Sequence, residues 1–206
     1  MNDRGQATAA WADAGLAAAL CAVDPQLLGG VMVRAGPGPV RDEWLARFRG
    51  LLDQSAPVRR MPVNVPDDRL LGGLDLVATL RAGRPVAQRG LLCEVDGGLL
   101  VVPGAERLGA TTAARLAQAS EQREVAIERD GIALRSPASF LLALLDESLE
   151  DDERPAAALL ERIAFIVDLE QVAARDLADE AHGRDAIVAA RRRLAEVAVP
   201  EGIVEA

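Results

Sequence analysis

The chain alternates short apolar runs with amphipathic stretches, and the two periods separate strands from helices. Residues Ala9 to Val23 place Trp11, Leu16, Ala19, Leu20 and Val23 at helical spacing, with Thr8 as the expected N-cap and Asp24-Pro25 as the stop. Val31 to Val33 reads as a short buried strand, and Trp44, Leu45, Phe48, Leu51 and Leu52 form the apolar face of the next helix. Val58 to Pro62 is a candidate second strand. From Asn64 to Gly90 turn residues dominate around one short helix at Leu74 to Leu80, and Leu91 to Val95 adds a helical turn.

Gly98 to Val102 is a continuous apolar run bounded by Gly97 and Pro103, the pattern of a strand covered on both faces. A helix is expected from Ala105 to about Ala119. Val125 to Ile127 and Ile132 to Leu134 flank Arg129-Asp130-Gly131, a β-hairpin signal. Phe140 to Leu145 predicts another buried strand, Ala157 to Arg162 a short helix, and Ile163 to Val167 a further strand. The tail from Glu170 to Val197 reads as helical with a break near Gly183. Strands alternating with helices predict an α/β fold, a parallel sheet with helices on both faces.

Composition narrows the function classes. The 206 residues suit one domain with a substantial core, and 50% of them are apolar. A formal net charge of −9 argues against non-specific nucleic-acid binding, which needs basic clusters. The run Arg191-Arg192-Arg193 is expected to be a solvated helix face. Cys21 and Cys93 lie in apolar surroundings without metal-ligand spacing, as buried free thiols in a reducing compartment would. The Ala-rich start carries Asp13 and lacks the basic flank of a signal peptide, and no apolar run is long enough to span a bilayer. A cytoplasmic protein is expected.

The most informative segment is Gly29-Gly30-Val31-Met32-Val33-Arg34, then Ala35-Gly36-Pro37-Gly38-Pro39-Val40-Arg41-Asp42, then Glu43-Trp44-Leu45. Strand, glycine-rich turn and helix follow in the order of a phosphate loop. Such a loop needs a Lys on the β- and γ-phosphates and a Ser or Thr on Mg²⁺, and the chain contains no lysine at all. Arg41 and Asp42 stand in those places, and Pro37 and Pro39 remove two backbone donors. Asp42 puts a carboxylate where the anion would sit, with Arg41 its natural partner. Asp42 and Glu43 equally suit the positive end of a helix, without any ligand. After the strand ending at Val102 an ATPase needs an Asp and a Glu, but Pro103 and Gly104 occupy those places; Glu106 is expected to face solvent.

Several stretches resemble the AAA+ subunits of the magnesium chelatase family. They are Val23-Asp24-Pro25 with Gly29-Gly30-Val31, Asp67 to Asp75 (DDRLLGGLD), Arg89-Gly90-Leu91-Leu92 and Glu124 to Ile132 (EVAIERDGI). Arg135, Pro137-Ala138, Phe140, Arg154-Pro155 and Leu160-Glu161-Arg162 continue the series in order. Within that family, loss of the nucleotide motifs resembles the D subunit's N-terminal AAA+ domain.

The resemblance implies an AAA+ P-loop-type parallel sheet with hairpin insertions. It implies a non-hydrolysing subunit domain that works with the ATPase (I) subunit, and with the porphyrin-binding (H) subunit through regions beyond this chain. The setting is a ring-type oligomer that inserts Mg²⁺ into protoporphyrin IX for (bacterio)chlorophyll. Residues 1–199 would form the degenerate AAA+ domain and 200–206 the start of a helical lid, so the chain reads as a fragment lacking linker and integrin-like domain.

No cofactor is expected on this domain, since ATP and Mg²⁺ would act at the partner ATPase subunit, and no metal site is expected. The degenerate loop residues Gly36, Gly38, Arg41 and Asp42 would bind ATP poorly. Alternatives are a weak ATPase using Arg41 in place of Lys, or a pure interaction module. Glu147 falls at the family's sensor position, within an acidic run to Glu153 that is expected to be a solvated loop. Arg162 falls where the resemblance puts an arginine finger reaching into a neighbouring subunit; a surface pair with Glu161 or Glu153 is the other reading. His182, the one histidine, has no nucleophile or second histidine near it in sequence and is expected to be a cap or loop residue.

Overall fold

The computed structural model describes residues 3–129, 132–150, 153–177, 182–194 and 196–197. Helix α1 (Asp3–Val23) turns Trp11, Ala14, Ala18, Cys21 and Ala22 inward, and its small residues let it lie close against its neighbours. It begins five residues before the expected cap: Thr8 is inside it, its hydroxyl donating to the Arg4 carbonyl at 2.9 Å. Asp24 ends α1 and caps α2 (Pro25–Leu28), accepting from the Leu27 N–H at 3.0 Å. Strand β1 (Gly30–Arg34) leads to α3 (Pro39–Leu51), where proline at the first helical position needs no N–H partner. Trp44 and Phe48 of α3 are buried with ring centroids 5.3 Å apart, and the Trp44 indole donates to the Ala14 carbonyl at 2.9 Å, fastening α3 to α1.

After β2 (Val58–Arg60), α4 (Asp67–Leu70), β3 (Gly72–Leu74), α5 (Leu76–Ala82), β4 (Ala87–Arg89) and α6 (Leu91–Glu94) follow one another. β3 and β4 pair antiparallel, a hairpin that the turn-rich sequence does not announce because each strand is three residues long. β5 (Leu99–Pro103) follows, then a 3-10 turn at Ala105–Arg107 and α7 (Ala110–Gln122). The single helix expected from Ala105 is thus split at Gly109. β6 (Glu124–Arg129) and β7 (Ile132–Pro137) form the second hairpin, whose expected turn at Asp130-Gly131 lies outside the described residues.

β8 (Leu141–Asp146), α8 (Ala157–Leu160) and β9 (Phe165–Asp168) complete the core. The tail holds one 3-10 turn at Ala174–Asp176 and α9 (Arg184–Leu194), less helix than the sequence suggests. Residues 178–181 and 198–206, with the expected start of a lid, lie outside the described residues.

Five strands form one parallel sheet in the order β2-β5-β8-β1-β9. Alternate strand residues feed two cores. Val31, Val33, Leu99, Val101, Leu141 and Leu145 pack with Trp11, Trp44 and Phe48, while Leu100, Val102, Leu142 and Leu144 pack with Leu92, Leu116 and Leu159. Cys21 and Cys93 are free and buried, one in each core.

Arg191 departs from the solvated face expected of it. Its Nε and Nη2 donate to the Ala22 carbonyl at 2.8 and 2.7 Å, and its Nη1 lies 3.3 Å from Asp53. It caps the carboxyl end of α1, where carbonyls lack helical partners; Arg192 and Arg193 are exposed. Among the described residues no helix is long and apolar enough to cross a membrane.

Candidate functional site

In an open parallel sheet the ligand crevice lies beyond the carboxyl ends of the strands, where successive connections leave in opposite directions. The ends of β1 and β8 are such a place, since β1 connects to β2 on one side while β8 connects past β1 to β9 on the other. Ala35 extends the pairing by donating to the Asp146 carbonyl at 3.0 Å, and the loop then runs through Gly36, Pro37 and Gly38 into α3. A Cβ added at Gly36 or Gly38 would meet no atom within 4 Å, so the chain itself imposes no glycine there. Asp42 lies in the first turn of α3 with its side chain 69% exposed, complementing the helix dipole.

Arg41 is 5% exposed and reaches across to the end of β8. Its Nη1 lies 2.6 Å from Glu147 Oε1, while its Nε stays 3.8 Å from Asp42 and makes no hydrogen bond. Glu147, rather than Asp42, is therefore its main partner. The other Glu147 oxygen is 2.5 Å from Arg107 Nη2. The Glu147 N–H donates to Glu106 Oε2 at 3.0 Å, and Arg107 Nε stands 3.5 Å from Glu106 Oε1.

Two expectations fail here. The Glu106 side chain is 1% exposed instead of facing solvent. The acidic run is buried at its start: Asp146 and Ser148 are buried and Glu147 is clamped, while Leu149, Glu150 and Glu153 are exposed and Asp151 and Asp152 lie outside the described residues.

Gly104 explains how Arg107 gets there. It adopts φ +61°, and a Cβ would stand 2.3 Å from Arg107 Nη2, so the bare backbone lets the guanidinium fold over it. The Glu147 hydrogen bond, then the Glu106 charge, holds the Arg107 pKa above its ordinary value. Arg107 escaped the sequence reading and Glu106 was read only as a solvent residue; the signal was a charged pair just past Pro103-Gly104 at the end of a buried strand.

The arrangement pairs two guanidiniums with two carboxylates and leaves no cation over for a triphosphate. A phosphate oxygen about 4 Å from Glu147 would be repelled by roughly 4 kcal/mol at an effective dielectric near 20. Pro103 and Gly104 offer no side-chain metal ligand, and no cluster of three His, Cys, Asp or Glu among the described residues could hold an ion. The residues present do not fit bound ATP with Mg²⁺.

Arg162 lies at the other end of the strands, three residues before the edge strand β9. Gly29, which precedes β1, has φ +66°, and a Cβ there would stand 2.0 Å from the Arg162 carbonyl. Arg162 Nη2 pairs with Glu121 at the end of α7 at 2.8 Å, with its side chain 33% exposed, so its partner is neither Glu161 nor Glu153. Beside it Arg123, at φ +55°, donates to the Gln26 side chain and carbonyl at 3.1 Å each. His182 is exposed in the segment before α9.

No protein-family model matches the chain. The magnesium-chelatase 60 kDa subunit of Cereibacter sphaeroides is 39% identical over 191 residues, covering 92% of this chain and 30% of that protein. The magnesium-chelatase 67 kDa subunit of Chlorobaculum parvum is 34% identical over 148 residues, 72% of this chain and 23% of that one. This chain is a homologue of the 60 and 67 kDa magnesium-chelatase subunits.

It spans about a third or less of the length of those relatives. Among solved structures, a chain of the complex between magnesium-chelatase subunits BchI and BchD, built on a cryo-EM reconstruction, superposes with a TM-score of 0.60. That match covers 93% of this chain and 66% of the other at 24% identity, and it bears on the fold. The five-stranded parallel sheet is thus of the AAA+ type expected for magnesium-chelatase subunits.

Proposed function

We propose that this chain is a non-hydrolysing AAA+ domain of a magnesium-chelatase subunit. It assembles with the ATPase subunit in a ring-type oligomer, and the assembly drives ATP-dependent insertion of Mg²⁺ into protoporphyrin IX, forming nitrogen–metal bonds. ATP is hydrolysed at the partner, with Mg²⁺ and nucleotide held there. The observation that carries the reading is Arg41 committed to Glu147 at 2.6 Å, which engages the cation standing at the lysine's place in the loop with the chain's own carboxylate. That commitment also weighs against a weak ATPase working through Arg41.

Arg162 supplies the active contribution, a guanidinium in trans to the transferring phosphoryl group. Its position at the amino ends of β1 and β9, away from Arg41 beyond the carboxyl ends, supports this, because a head-to-tail ring brings different faces of neighbours together.

The test is stimulation of ATP hydrolysis by purified magnesium-chelatase ATPase subunit on addition of this chain. Arg162→Ala should lower the stimulated rate by at least about tenfold, within what such a group contributes, at unchanged affinity for the partner. Equal stimulation by Arg162→Ala at equal affinity would remove Arg162 from the mechanism.

A further inference from the structure

The Arg41–Glu147–Arg107 cluster joins three separate elements: the first turn of α3, the segment after β8 and the turn after β5. In a phosphate-binding fold, the bound anion is what draws such elements together. Here both Glu147 oxygens are engaged, one by each guanidinium, at 2.6 and 2.5 Å. The carboxylate is 13% exposed and Arg41 only 5%, so the Arg41 contact is built into the interior, while Arg107, 55% exposed, closes on it from the solvent side. Glu106 fixes the backbone of Glu147 from below through the 3.0 Å bond. Arg41 Nε, buried and without a hydrogen bond, lies 3.8 Å from Asp42.

We infer that Glu147 is a built-in ligand: its carboxylate takes the place of a bound oxyanion and holds the three elements in the arrangement that an anion would otherwise impose. The domain thereby keeps one conformation whether or not nucleotide is present in solution. With the carboxylate removed, Arg41 and Arg107 face an empty crevice at the start of α3 and constitute a site for a phosphate-class anion. A free oxyanion then does from solution what the side chain does covalently. The inference deepens the reading of the pocket as non-hydrolysing, and it does not depend on Arg162.

The experiment is thermal unfolding of the 206-residue chain, followed by circular dichroism with inorganic pyrophosphate as the probe from zero to about 10 mM, ionic strength held constant with sodium chloride. Wild type should be indifferent to pyrophosphate. Glu147→Ala should melt about 5 °C lower, and pyrophosphate should restore at least half of that loss in a saturable way. Glu147→Ala combined with Arg41→Ala should show no recovery. If Glu147→Ala does not fold, Glu147→Gln, which keeps the shape and loses the charge, should show the same Arg41-dependent rescue at smaller amplitude.

Wild type responding as strongly as the variant, no rescue of a folded variant, or rescue that persists without Arg41 would each overturn the inference. These readouts involve the chain alone. They can fail while stimulation of the partner ATPase survives, and the reverse.

Discussion

Arg41 and Glu147 stand 106 positions apart in the sequence, and their side chains meet at 2.6 Å in the interior beyond the carboxyl ends of β1 and β8. Breaking a buried pair by removing one member leaves an uncompensated charge, which costs more than the pair itself contributes. Arg41→Met should therefore lower the unfolding free energy by about 3 kcal/mol, read from urea titrations. A change within about 0.5 kcal/mol would mean that the pair is solvated and exerts little hold.

Gly104 and Gly36 give opposite expectations, although both belong to motifs that resemble nucleotide-binding ones. Gly104→Ala puts a Cβ into a left-handed backbone and against Arg107 Nη2 at 2.3 Å. The left-handed conformation alone costs roughly 1–2 kcal/mol, and displacement of Arg107 from Glu147 adds to it. Gly36→Ala meets open space and should change stability by less than about 0.5 kcal/mol. The same urea titrations check both variants, and equal effects would refute the assignment of Arg107.

Alkaline stability isolates the two thiols, because the chain has no lysine and no tyrosine to titrate beside them. Burial pushes the Cys21 pKa from 9.0 up to about 12 and raises Cys93 as well. A folded-state pKa above the unfolded one gives stability that is complete below pH 9.0 and is lost as pH rises towards the folded value. By pH 10 the Cys21 contribution to that loss should be roughly 1 kcal/mol. Urea midpoints from pH 8 to 10.5 should fall in wild type and flatten in Cys21→Ala; parallel slopes would exclude Cys21 as the cause.

The sheet was legible because each central strand is an unbroken apolar run, and the helix after β1 because Trp44, Phe48 and Leu51 recur on one face. The features that the sequence hid depend on partners far along the chain. Glu106 reads as a solvent residue until Glu147, 41 positions later, offers it an N–H. Arg191 reads as one of three exposed arginines until the end of α1, 169 positions earlier, supplies a carbonyl. Thr8 failed as a cap because helix continues upstream through Arg4 and Gly5, so its hydroxyl bonds back to the Arg4 carbonyl. The β3–β4 hairpin is too short for any period to register.

The departures from a phosphate loop were legible in Arg41, Asp42 and the two prolines. The partner of Arg41 was not, because the sequence suggests Asp42 and the fold supplies Glu147.

In the proposed function, the chain's own carboxylate closes this pocket to nucleotide. Equilibrium titration of ATP with Mg²⁺ into the chain alone tests it most directly. No saturable binding up to about 1 mM is predicted. Micromolar binding that Arg41→Ala abolishes would contradict the account.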